Sequence, residues 1–109
     1  MSQTITVSEL QAAIDTPGQI ILVDTLPEAA FARGHLPGAV NIRSDDILDA
    51  APERLPDKDA EIVVYCASPC FQRAGKAAAR LERLGYSRVR HFEGGKEDWR
   101  AAGLPLVTG

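Results

Sequence analysis

The segment Ile62-Val63-Val64-Tyr65-Cys66-Ala67-Ser68-Pro69-Cys70-Phe71-Gln72-Arg73 carries a short unbroken apolar run through a cysteine-bearing loop into a helical pattern. The run from Ile62 to Tyr65 is β-branched and aromatic throughout. Such a run reads as a strand buried on both faces, the signature of a parallel sheet. From Arg73 the chain passes through Ala77, Ala78, Ala79, Leu81 and Leu84 to Gly85. Alanine has the highest helix propensity, the leucines recur at helical spacing, basic residues gather toward the end and a glycine stops the run. Cys66 therefore stands at the C-terminal end of a strand, where open α/β sheets hold their ligands.

The same alternation extends outward. Ile20-Ile21-Leu22-Val23, closed by Asp24, is a second buried-strand signal, and residues 89–92 are a third. Residues 39–42 predict a short strand, and Thr4, Ile5 and Val7 a short edge strand. Ser8-Glu9-Leu10-Gln11 fits a capping box opening a helix with Leu10, Ala13 and Ile14 on its apolar side, ended by Pro17-Gly18. Residues 27–33 predict a helix with Pro27 in its first turn and Gly34 as its stop. Residues 44–50 predict another, with Asp45 and Asp46 on its N-terminal face, followed by a polar connection over residues 52–59. Residues 97–102 predict a short last helix that buries Trp99. Strands alternating with helices imply an α/β domain over residues 1–109, with a mainly parallel sheet of about five strands flanked by helices on both faces.

Composition narrows the function. A chain of 109 residues, 45% hydrophobic and 25% charged, builds one core without staples. A net charge of -3 and no basic stripe argue against a nucleic-acid partner. No apolar run approaches the roughly 20 residues of a membrane span, and the first ten residues lack the pattern of a cleaved signal. The expected compartment is the cytoplasm, where neighbouring cysteines are catalytic, redox-active or metal-binding more often than structural. A zinc site would need ligands beyond Cys66 and Cys70; His35 and His91 have no finger-like spacing to them, so no metal is expected.

The loop chemistry points to an anion. Amides at a helix N-terminus favour negative charge and lower the pKa of a thiol lodged there. Arg73 adds a permanent cation where a helix dipole would not call for one. Together they suggest a thiolate that attacks an anionic, transferable group. Taken alone, Cys66 reads equally well as an inert cysteine closing a core strand. Cys70 either resolves an oxidised or persulfidated Cys66 or lines the loop, and lining is preferred.

Further segments complete a pattern: Ile21-Leu22-Val23-Asp24; Phe31-Ala32-Arg33-Gly34-His35-Leu36-Pro37-Gly38-Ala39-Val40-Asn41-Ile42; Leu84-Gly85-Tyr86; Phe92-Glu93-Gly94-Gly95; Trp99; and Ala102-Gly103-Leu104-Pro105. With Ile62-Val63-Val64-Tyr65-Cys66 they run in order along nearly the whole chain, which thereby resembles a single-domain rhodanese. The resemblance implies a three-layer fold and a sulfurtransferase. Cys66 would take sulfane sulfur from thiosulfate or a similar small anionic donor and pass it to cyanide or a thiol, or to a protein sulfur acceptor. It implies no cofactor, and an anion cradle made by Ala67, Ser68, Pro69, Cys70, Phe71, Gln72, Arg73 and Ala74. A monomer or weak homodimer, with no membrane or nucleic-acid partner, is expected.

Two departures from the family pattern are visible. The span from Cys66 to Arg73 is longer than usual and holds Pro69 and Cys70 where a glycine is expected; proline removes one amide from the cradle. A wider loop would suit a larger group, as in the superfamily's cysteine phosphatases, so phosphatase or arsenate reductase chemistry is the enzymatic alternative. A non-catalytic binding or sulfur-carrier module is the alternative of another class. After Asp24, an arginine and its acidic partner are both missing, replaced by Leu26 and Ala30. His35 reads as a structural hydrogen-bonder and His91 as exposed; Asp24 either orients the neighbouring loop or caps the helix that follows it, and the cap is preferred.

Overall fold

The computed structural model describes residues 3–16, 18–67 and 73–109. Its elements in chain order are β1 (Gln3–Thr4), α1 (Val7–Ile14), β2 (Ile21–Asp24), α2 (Glu28–Arg33), β3 (Val40–Asn41), a 3-10 turn (Ser44–Asp46), α3 (Ile47–Arg54), β4 (Ile62–Tyr65), α4 (Arg73–Arg83), β5 (Val89–Phe92) and α5 (Gly95–Ala101). The strands form one five-stranded sheet in the order β1-β5-β4-β2-β3. Every pairing is parallel.

The middle strand β4 and its neighbour β2 are the strands built on uninterrupted apolar runs, whereas β5, on the other side of β4, carries Arg90 and His91. β4 lies between β2 and β5, its register running from Ile21↔Ile62 to Asp24↔Tyr65 on one side and from Ile62↔Val89 to Tyr65↔Phe92 on the other. Alternation along β4 feeds two cores. Ile62 and Val64 pack with Ile47 and Ala51 of α3 and with Ala74, Ala77, Ala78 and Leu81 of α4. Val63 and Tyr65 pack on the other face with Leu10 of α1, Leu36, Phe92 and Trp99 of α5. The buried residues of α4 fall at helical spacing, and three of the four are alanines, which let the helix lie close on the sheet.

Several local expectations change. The capping box belongs to Thr6 and Glu9, not Ser8: Thr6 Oγ1 accepts from the Glu9 amide at 3.1 Å, and Glu9 Oε1 from the Thr6 amide at 3.0 Å. Val7 opens α1 instead of extending β1. The helix expected over residues 44–50 is a 3-10 turn followed by α3, which runs through Pro52 to Arg54 instead of yielding to a loop. Pro52 has no amide to give the carbonyl of Leu48, and Leu48 is exposed. α5 begins at Gly95, ahead of Glu97. Among the described residues no helix is long and apolar enough to cross a membrane.

Candidate active site

The C-terminal ends of β2 and β4 lie side by side, with Asp24 opposite Tyr65 and Cys66 next in the chain. Cys66 has no exposed surface and packs in the core cluster that holds Ala74 and Ala77 of α4. Its backbone is gripped from α5. The Lys96 amide donates to the Cys66 carbonyl at 3.0 Å, and the Glu97 amide to the Ala67 carbonyl at 2.9 Å. This approach requires Gly95. Its φ is +60°, and a Cβ there would overlap the Cys66 carbonyl oxygen. The glycine pair thus brings the start of α5 against the cysteine as well as breaking the chain after β5.

Asp24 does not cap α2, whose N-cap is Pro27 with no side-chain hydrogen bond. It is fully buried and orders the loop beyond its own strand. Its Oδ1 accepts from the Leu26 amide at 2.9 Å and its Oδ2 from the Tyr65 hydroxyl at 2.8 Å. The same hydroxyl accepts from the Leu36 amide at 3.1 Å. The Thr25 hydroxyl donates to the Tyr65 carbonyl at 2.8 Å, tying the two strand ends together again. Burial, then the Asp24 charge, push the Tyr65 phenol far above its ordinary value, so it stays a donor.

Lys96 is the residue that the sequence did not single out. Its side chain is 9% exposed, and its Nζ donates to the Ala30 carbonyl at 3.1 Å while lying 3.8 Å from Asp24 Oδ2. Burial lowers its pKa and raises that of Asp24; for both groups loss of water outweighs their mutual attraction. Leu26 and Ala30, where the family pattern places an arginine and an acid, are respectively a core side chain and the carbonyl that receives this ammonium. One signal in the sequence was available: Lys96 precedes Trp99 by one helical turn and so shares its inward face.

An open cleft of about 350 Å³ is lined by Ala67, the residue after Cys66, with Leu26, Ala30, Arg33, Gly34, Arg73, Lys96, Arg100 and Leu106. Of the expected cradle, Ala67 and Arg73 line this cleft. Ala74, in the first turn of α4, is buried in the core. Ser68, Pro69, Cys70, Phe71 and Gln72 lie outside the described residues. Arg73 also borders a smaller cleft of about 120 Å³ with Thr25, Pro27, Arg43, Ser44 and Asp45.

The histidines stand apart from this constellation. His35 is structural: its ring stacks on Phe31 at 3.8 Å, and its Nδ1 lies 2.9 Å from the Phe31 carbonyl oxygen. His91 is not exposed as expected. It is partly buried, with Nε2 sequestered and without a partner among the described residues, because β1 pairs alongside it and α4 packs over it.

The model of the rhodanese-like domain matches residues 6–102. The chain belongs to the rhodanese-like family. Among its curated relatives is a sulfurtransferase of Allochromatium vinosum, 34% identical over 91 residues, which cover 82% of this chain and 79% of that protein. An HTH-type transcriptional regulator of Mycobacterium tuberculosis is 36% identical over 92 residues, 84% of this chain but only 39% of the regulator. The rhodanese-like fold is shared with the crystal structure of a thiosulfate sulfurtransferase from Pseudomonas aeruginosa, with a TM-score of 0.87 and 32% identity; that match covers 97% of this chain and 20% of the other. The rhodanese-like unit thus recurs within much longer proteins as well as in a sulfurtransferase of similar size.

Proposed function

We propose that this rhodanese-like chain is a sulfurtransferase that carries sulfane sulfur as a persulfide on Cys66. One observation carries the reading: Cys66 follows the central strand of the sheet and precedes α4, while α5 fixes its carbonyl through the Lys96 amide. A sulfur held there lies close to the positive end of an eleven-residue helix, which favours an anionic persulfide. Arg73, the first residue of that helix and a lining residue of both clefts, supplies a lasting positive charge beside it.

The chemistry balances without a redox partner. The Cys66 thiolate attacks the outer sulfur of thiosulfate, the S–S bond of the donor breaks, and its electron pair leaves with sulfite. The persulfide anion on Cys66 is then attacked at its terminal sulfur by cyanide, giving thiocyanate and restoring the thiolate. A thiol acceptor receives the sulfur in the same way, its proton ending on the new persulfide.

Complete burial of Cys66 favours one other reading, a binding module whose cysteine is inert. Intact mass of the reduced protein after thiosulfate separates the two. Sulfur transfer predicts the gain of one sulfur atom, lost on adding cyanide, absent in Cys66→Ser and retained in Cys70→Ser. An unmodified wild-type mass with thiosulfate and with persulfide donors, together with slow alkylation of Cys66 at neutral pH, would overturn it.

A further inference from the structure

The cleft that Ala67, next to Cys66, helps to line gathers four cationic side chains. Arg33 reaches it from the end of α2, Arg73 from the start of α4, and Lys96 and Arg100 from successive turns of α5. Among the described residues that line it there is no carboxylate. Asp24, which pairs with Lys96 at 3.8 Å, has no exposed surface of its own. The Lys96 side chain is held in place by the Ala30 carbonyl and its main chain by the Cys66 carbonyl, so its charge is fixed relative to the cysteine. Leu26, Ala30 and Leu106 supply an apolar wall. The volume, about 350 Å³, falls within the roughly 300–1,000 Å³ of small-molecule sites.

We propose that this cleft takes a small organic persulfide, and the thiol it leaves behind, carrying two or more carboxylates, with Lys96, Arg33 and Arg100 as the residues that select it. The proposal rests on the sulfur-transfer reading for its chemistry. The Cys66 thiolate attacks the terminal sulfur of R–S–SH, the S–S bond of the donor breaks, and RS⁻ leaves with the electron pair and takes up the proton; Cys66 keeps the sulfur as its persulfide anion. The carboxylates of R meet the cations while its carbon body lies on Leu26 and Leu106. Guanidinium groups suit this role because they pair with carboxylates through two parallel hydrogen bonds.

The test compares sulfur loading of Cys66 from mercaptosuccinate persulfide, which carries two carboxylates, and from the neutral 2-mercaptoethanol persulfide. The wild-type ratio of kcat/KM values is the reference, since the two thiols differ in intrinsic reactivity. In Arg33→Gln/Arg100→Gln, both exposed positions, that ratio should fall about tenfold or more, the usual worth of a charge-assisted hydrogen bond. Lys96→Met should lower it in the same direction. A purely structural role for Lys96 would depress both donors alike and leave the ratio unmoved. Calorimetry of S-methylmercaptosuccinate, which has no sulfur to transfer, against Cys66→Ser measures recognition alone. Binding that weakens with the arginine substitutions supports the cleft's ligand class even where no donor loads Cys66, an outcome that would instead overturn sulfur transfer. A ratio indifferent to all three cations, or no binding of the unreactive analogue, would overturn the cleft proposal and leave sulfur transfer standing.

Discussion

The Tyr65 hydroxyl donates to Asp24 Oδ2 at 2.8 Å, joining the C-terminal ends of two adjacent parallel strands through a side-chain bond that no solvent reaches. The pair decides where the residues after each strand go. Asp24 spends its other oxygen on the Leu26 amide, and Tyr65 accepts from the Leu36 amide with the same hydroxyl. Tyr65→Phe leaves a buried carboxylate oxygen and a buried amide without this partner. The expected loss is about 1–3 kcal/mol, read as a lower urea midpoint at unchanged slope. A change below about 0.5 kcal/mol would mean that the hydroxyl is replaceable by solvent.

Gly95 supports a sharper experiment because the molecule contains its own control. Gly95→Ala meets both an unfavourable φ and the carbonyl of Cys66. Gly103→Ala meets only the unfavourable φ of +79°, with no atom within 4 Å of the added methyl. The control should cost about 1–2 kcal/mol. Gly95→Ala should cost more than that and also slow sulfur loading of Cys66, since relief of the overlap moves the cysteine backbone. Equal losses in the two variants, by urea unfolding, would sink the claim that close approach fixes Cys66.

His91 gives the stability a pH dependence. Burial lowers its pKa below the ordinary 6.5, with the Glu93 charge opposing. The unfolded chain then binds this proton more readily than the folded one. The contribution is complete above 6.5 and is lost as pH falls through the lowered folded value. Melting temperature should therefore drop more between neutral pH and pH about 5 in the wild type than in His91→Gln. Parallel curves for the two proteins would count against it.

The N-terminal cap separates two sequence patterns that look alike. Thr6→Ala should cost about 1 kcal/mol, and Ser8→Ala, at an exposed position, no more than about 0.5 kcal/mol either way. The reverse order would place the cap at Ser8.

That contrast illustrates what the sequence makes legible. Thr6-Val7-Ser8-Glu9 and Ser8-Glu9-Leu10-Gln11 both satisfy the capping-box spacing, and the reciprocal hydrogen bonds of Thr6 and Glu9 decide between them. By contrast, the runs that became β2 and β4, and the alanine-rich α4, were readable because a strand covered on both faces and a helix lying close on a sheet each demand a composition that little else does. The order of Cys66 and Arg73 around the strand-to-helix junction was legible for the same reason. Asp24, Lys96 and His91 were not. Their roles depend on Tyr65, Ala30 and β1, residues far along the chain that only the sheet order brings near. Arg33 and Arg100 are exposed, and only the cleft gives them a common face.

The sheet order also sets a timetable for synthesis. β1 emerges first, yet its neighbour is β5, and Arg90 Nη2 reaches the Thr4 carbonyl across 86 positions of sequence. At ribosomal speeds of about 5–20 residues per second, the first strand waits roughly 4–17 s for its partner. During that interval β2, β3 and β4 can assemble, while β1 has no strand to pair with. The docking of β1 against β5 is thus a closing event of folding rather than the seed of it.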